Sequence, residues 1–234
     1  MSVVSPLVTL STAPAGGAIA PLANIAVAER AYARVMGRGP MDPGIVVMNG
    51  PSGWGKSVAA AWLKARYRAY YVQADDFWTK KTMLIAMCRA LGIVPAGKDG
   101  RPGQVRGSIF ELAEMVKEQL EKSRRLLIID EFDYLADKNM VEAIRSLYEG
   151  SRASILVIGE EALPQKLEAW ERFHGRVLDW FPAQPVSLGD ARELAGMKCA
   201  GVAVADDLLM HIVELAKGSV RRVNNNLDKV RDEA

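Results

Sequence analysis

Two hydrophobic periodicities alternate along the chain. Short all-apolar runs, Ile45-Val46-Val47-Met48, Leu126-Leu127-Ile128-Ile129 and Ile155-Leu156-Val157-Ile158, are separated by longer stretches whose apolar residues recur at helical spacing. A four-residue apolar run predicts a strand buried on both faces, as in a parallel sheet. Tyr70-Tyr71-Val72-Gln73-Ala74, ending at Asp75-Asp76, predicts another strand, and a short one is expected near 176–180. Helices are predicted over about Leu22 to Met36, from the end of the first loop to about Tyr67, from near Thr79 to Leu91, over Ser108 to Glu121, over 138–149 and near 162–171. Gly37-Arg38-Gly39-Pro40 stops the first, and Gly92 stops the third. Strands separated by helices specify an α/β fold with a doubly wound parallel sheet. Pro182 to Pro185 reads as a boundary, followed by helical stretches at 190–200, 206–216 and 219–232. The expected organisation is a flexible arm over 1–21, a core over 22–182 and a small helical subdomain over 183–234.

Composition adds few constraints. Half of the 234 residues are apolar and a quarter are charged, the balance of a globular domain. The net charge is only +2, so any nucleic-acid surface must be a local patch. Cys88 and Cys199 lie far apart in helical stretches, which fits reduced, buried thiols better than a disulfide or a zinc site. No apolar run is long enough to span a membrane. Residues 1–21 contain no Lys or Arg, and the polar residues Ser11 and Thr12, with Pro14, interrupt the apolar stretch, so a secretory signal is not expected.

The first apolar run leads into Gly50-Pro51-Ser52-Gly53-Trp54-Gly55-Lys56-Ser57-Val58, a complete G-x-x-x-x-G-K-[ST] phosphate-binding loop. Strand before and helix after are the context this motif requires. Glycines let backbone N–H groups curl around phosphates, and the helix N-terminus adds the positive end of its dipole. Lys56 is placed to reach the β- and γ-phosphates, and the Ser57 hydroxyl to ligate Mg²⁺. ATP with Mg²⁺ is the implied ligand. The second run ends in Asp130-Glu131, at the strand end where open α/β sheets bind ligands. Asp130 suits the Mg²⁺ shell, and Glu131 suits a base that polarises the attacking water.

These residues resemble an AAA+ ATPase: Gly50 to Ser57 and Leu126 to Glu131 match its two nucleotide motifs, and the helical tail matches its lid. The resemblance implies three further positions. Glu160, after strand 155–158, stands where the family places a γ-phosphate sensor, usually Asn, Ser or Thr. Arg176, in Phe173-His174-Gly175-Arg176-Val177, resembles an arginine finger, with Arg172 as fallback, and is counted with Glu131 and Lys56 as catalytic. Arg221, in Gly218-Ser219-Val220-Arg221, resembles the lid's second sensor. Within AAA+, the chain is similar to the target-selecting ATPases of DNA transposition, the group of the B proteins of Mu-like phages. That likeness rests on the compact core, the short lid and Ile158-Gly159-Glu160-Glu161-Ala162-Leu163. It departs from the Mu B pattern in having only some twenty residues ahead of the core, where Mu B has a DNA-binding domain.

The resemblance implies a homo-oligomer, ring or helical filament, that binds double-stranded DNA without sequence preference and delivers it to a transposase. The setting would be the cytoplasm of a bacterium or phage-infected host, with no membrane partner. Lys80 and Lys81 at a helix start, with Lys98, Arg101 and Arg106 in the long glycine-rich loop 95–107, are the expected phosphate contacts. The alternatives are a helicase-loader-type ATPase and a nucleotide-gated scaffold with negligible turnover.

Overall fold

The computed structural model describes residues 22–95 and 103–234. The strands are β1 (Ile45–Asn49), β2 (Tyr70–Gln73), β3 (Leu127–Asp130), β4 (Ile155–Gly159) and β5 (Val177–Pro182). All pair in parallel, in the order β2-β3-β4-β1-β5. Ile45 sits opposite both Ile155 and Val177, and the β1–β5 register shifts between Ile45 and Val46. After β1 the chain crosses to the far edge to make β2, then fills in β3 and β4 back toward β1. The strand order thus reverses beside β1, where open sheets form their ligand crevice.

The apolar runs are strands because each side chain has a core to enter. Ile45 and Val47 face one hydrophobic cluster, and Val46 and Met48 face another. β3 and β4 divide the same way: Ile129 and Val157 lie on the first side, Ile128 and Ile158 on the second. Helices α1 (Ala23–Met36) and α2 (Lys56–Tyr67) cover the second face through Ala28, Ala31, Val35, Ala59, Ala60 and Leu63. The other face is covered by α3 (Lys80–Ala90), α4 (Ile109–Ser123), α5 (Asp133–Asp137), α6 (Val141–Ser151), α7 (Leu163–Glu168) and α8 (Glu171–His174). Both layers of a doubly wound sheet are therefore present, as the sequence implied.

Local chemistry sets the helix starts. Thr79 caps α3 and exchanges bonds with Thr82, and Ser108 does the same with Glu111 at α4. The helix expected over 138–149 is α6, which starts later, at Val141, and runs to Ser151, while α5, just ahead of it, was not expected. Asn139 takes the left-handed conformation at φ 55, so α5 ends before it and α6 starts after it. The helix expected near 162–171 is α7, which ends at Glu168, and the short α8 follows from Glu171 after a turn at Trp170.

Beyond β5, α9 (Leu188–Lys198), α10 (Asp206–Ala216) and α11 (Val220–Glu233) pack around their own cluster, which includes Leu194, Leu209, Ile212, Val223 and Leu227. Leu22, just ahead of α1, joins that cluster.

Candidate functional site

The cleft grows from the turn between β1 and α2. Gly53 and Gly55 adopt left-handed φ values of 82 and 91, so the chain can curl before α2 begins at Lys56. Lys56 Nζ donates to Gly50 O at 2.6 Å and to Pro51 O at 2.9 Å, which holds the ammonium within the loop's concave side. Burial lowers its pKa, against the opposing pull of Glu131 and Asp130.

β3 brings the acids. Asp130 is buried, and its two oxygens are fixed separately: the Tyr71 hydroxyl donates to Oδ2 at 2.9 Å and the Glu131 N–H to Oδ1 at 2.9 Å. Glu131 holds a left-handed φ of 56, a conformation unfavourable for a side-chain-bearing residue and common at working sites. Burial, then the adjacent Asp130 carboxylate, raises its carboxyl pKa, and Lys56 pulls the other way. A raised carboxyl is better matched to proton transfer near neutrality.

β4 ends nearby. Asp133, buried on α5, accepts the Glu160 N–H at 2.7 Å and so fixes where Glu160 leaves the strand. Lys166 Nζ lies 3.5 Å from the other Asp133 oxygen, an ion pair without hydrogen-bond geometry.

α11 closes the wall. The Arg221 N–H donates to Gly53 O at 3.3 Å, and Ser219 Oγ donates to the same carbonyl at 3.4 Å. The Trp54 indole lies over Gly218, where a Cβ would come within 2.8 Å of it. A buried amide ties these parts together: Asn24 Nδ2 donates to Trp54 O at 2.7 Å and to Gln184 O at 2.8 Å, while Oδ1 accepts from Gln184 N at 2.7 Å.

The cleft, about 330 Å³, is lined by Ser52, Gly53, Gly55, Lys56, Ser57, Val58, Glu131, Glu160 and Arg221, with Val220, Asn224 and Asn225. Nine residues singled out from sequence thus share one cleft. Gly50, Pro51 and Trp54 of the same loop, and the buried Asp130 next to Glu131, do not line it. Asn224 and Asn225 carry a signal that was there to read, since they follow Arg221 by one helical turn. Tyr71, Asp133 and Asn24 carry none, because their roles depend on neighbouring strands and distant loops.

The donor set suits a hard divalent cation. A hydroxyl and a carboxylate are the oxygen ligands Mg²⁺ takes while keeping waters and phosphate oxygens. Among the described residues no three His, Cys, Asp or Glu side chains could hold an ion unaided.

The remaining residues lie elsewhere. Arg176 precedes β5 and its N–H and C=O tie it to Phe173 and Ile45, at the strand-entry edge. β5 has six residues and is about 20 Å long, so Arg176 stands about that far from the exit edge of its own sheet. Its guanidinium pairs with Glu149 at 2.8 Å. Lys80 and Lys81 are exposed on the first turn of α3, three and four residues after Phe77, which is 89% exposed. Arg106 is exposed and bonded to Gln104. Lys98 and Arg101 lie outside the described residues.

Fold and cleft together define a P-loop nucleotide-binding protein. The family model described as AAA domain matches residues 39–167, and the chain belongs to that family. No curated protein matches it. Among solved structures, Orc1 of Aeropyrum pernix in complex with DNA is similar at TM-score 0.63 and 20% identity, covering 91% of this chain and 60% of that one. Cdc6p of Pyrobaculum aerophilum gives 0.59 and 15%, covering 93% and 62%. The RuvB Holliday junction branch migration motor of Thermotoga maritima gives 0.57 and 16%, covering 90% and 62%. The chain therefore spans about three fifths of each. At these identities the likeness is one of fold. Among the described residues no helix is long and apolar enough to cross a membrane.

Proposed function

We propose that the chain is an ATP-dependent DNA-binding ATPase that assembles on duplex DNA and delivers it to a partner enzyme. The observation that carries the nucleotide half is the single cleft joining Lys56, Ser57, Glu131, Glu160 and Arg221. In this reading residues 22–182 are the nucleotide core and 183–234 a lid, linked by the contacts of α11 and Asn24 to the phosphate loop. Residues 1–21, the expected arm, lie outside the described residues.

The loop from Gly50 to Val58 and the N-terminus of α2 bind the phosphates, with Lys56 facing the β/γ charge. Ser57 and Asp130 would hold Mg²⁺, which supplies neutralisation of charge on the β- and γ-oxygens. Glu131 takes the proton of the water that attacks the γ-phosphorus, as the bond to the ADP oxygen breaks. Glu160 and Arg221 face that phosphate from β4 and α11. Arg176 stands too far from its own cleft and serves a neighbour's, so hydrolysis is completed only in the oligomer.

The DNA half draws on a fold shared with a protein solved on DNA and with a branch migration motor. Lys80, Lys81 and Arg106, with Lys98 and Arg101, are the proposed phosphate contacts. A transposase as partner rests on the sequence resemblance alone. A replicative helicase, the partner of a loader, is the second reading, and the likeness to Orc1 on DNA suits it equally. Steady-state ATPase with and without duplex DNA tests the common claim: stimulation supports it, and indifference to DNA contradicts it. Pull-down against a transposase and a helicase separates the partners.

A further inference from the structure

At the edge of the sheet opposite the cleft, every strand is entered past an arginine. Arg68 precedes β2, Arg124 and Arg125 precede β3, Arg152 precedes β4, Arg176 precedes β5, and Arg38 lies in the segment leading to β1. Arg68, Arg124 and Arg152 are the C-caps of α2, α4 and α6, and all three are left-handed, with φ of 54, 52 and 53. Glycine fills that position without strain, whereas a side-chain-bearing residue is strained there. A cation there complements the helix dipole, but it does so as well from the right-handed last turn. The dipole also accounts for only one cation per helix, and this edge has more.

Two shallow pockets flank the last turn of α4. Arg38, Arg124 and Arg152 line one, and Arg68, Lys122 and Arg125 line the other. Among the described residues none of these six has a carboxylate within 4 Å. Glu121 is the one acid lining either pocket. Arg38 and Arg152 are pinned by backbone carbonyls, Arg152 O and Pro40 O respectively, so the charge sits on a rigid frame. Exposed Arg68, Lys122 and Arg124 are free to meet a ligand.

Neighbouring strands lie about 4.8 Å apart, so the arginines ahead of β2, β3 and β4 form a row about 10 Å long. That span is about three steps of 3.4 Å along one DNA strand, within reach of up to four successive phosphates. Five of the six cations are arginines, whose planar forks match phosphate. We infer that this edge is a second nucleic-acid surface, holding the backbone phosphates of a DNA duplex on the side away from the nucleotide. Six cations against one acid, five of them forks that fit phosphate oxygens, suit the continuous charge of a duplex backbone better than the scattered carboxylates of an acidic polypeptide.

The test is fluorescence anisotropy of a labelled duplex of arbitrary sequence, without nucleotide. It compares wild type, the triple variant Arg68→Gly/Lys122→Ala/Arg124→Gly, and Lys80→Ala/Lys81→Ala. Glycine at 68 and 124 removes charge while relaxing the backbone. The triple variant should flatten the slope of log K against log salt by about 0.9 for each phosphate lost, up to about 2.7. The Lys80/Lys81 variant should keep nucleotide-free binding. An unchanged slope in the triple variant, or no nucleotide-free binding by wild type, overturns the inference. Competition by polyglutamate as strong as by unlabelled duplex also overturns it, and assigns the edge to an acidic protein. The cleft is untouched by the triple variant, so MgATP titration reports the proposed ATPase separately.

Discussion

The Tyr71 hydroxyl on β2 donates to Asp130 Oδ2 on β3 across 2.9 Å, so a tyrosine fixes the orientation of the proposed metal-binding carboxylate. Burial, and next the charge of Asp130, raises the pKa of that phenol and keeps it a donor.

Tyr71→Phe removes the donor and keeps the ring. Outer-shell partners of this kind are worth about 10- to 100-fold in metal affinity. The Mg²⁺ concentration giving half-maximal ATPase should rise by that order, with metal-free nucleotide binding unchanged. An unaltered Mg²⁺ dependence would remove Tyr71 from the account.

Glu131→Gln should keep ATP binding and abolish turnover, because the amide cannot accept the proton. It also has a signature in stability. The folded carboxyl pKa lies above its unfolded value, so the native state holds this proton more tightly than the unfolded chain. That contribution is complete below the unfolded value, about 4.3, and is lost as pH rises through the folded one. At pH 7 the Gln variant should therefore melt higher than wild type, and the difference should shrink as pH falls toward the unfolded value. A difference independent of pH would contradict the environment described for Glu131.

Arg176→Ala alone should lower turnover by the factor typical of arginine fingers, about 10³ to 10⁵. Its exposed pair with Glu149 adds less than about 1 kcal/mol, so folding should be unaffected. Mixing Arg176→Ala with Lys56→Ala subunits should restore part of the activity, because each supplies the half-site the other lacks. With both variants folded, no recovery in a mixing titration would exclude a role in trans.

Asn24→Ala leaves Trp54 O and Gln184 N without their buried partner. Both groups are only part-buried, so each lost bond costs about 0.5–1.5 kcal/mol. The melting temperature should fall and ATP affinity with it, since Trp54 belongs to the phosphate loop. Calorimetry and a nucleotide titration would show both; a lowered melting temperature at unchanged affinity would separate Asn24 from the site.

The parallel sheet was legible because runs such as Ile155-Leu156-Val157-Ile158 have one explanation when strands are buried on both faces. The phosphate loop was legible because its glycines, lysine and serine are contiguous. Helix α5 was not, since five residues ending ahead of a left-handed Asn139 are too few for an apolar period to show. Tyr71 and Asn24 were also invisible: one reads as an ordinary strand aromatic and the other as a helix-start polar residue. Their partners, Asp130, Trp54 and Gln184, are brought to them only by the folded chain.

A calorimetric titration of MgATP into wild type and Lys56→Ala decides whether the cleft binds ATP through the phosphate loop. A hydrogen bond to a charged group is worth about 1.5–3 kcal/mol, so the variant should bind roughly 10- to 100-fold more weakly, or below detection. Equal affinity of the two proteins, or no binding by wild type, would contradict the account.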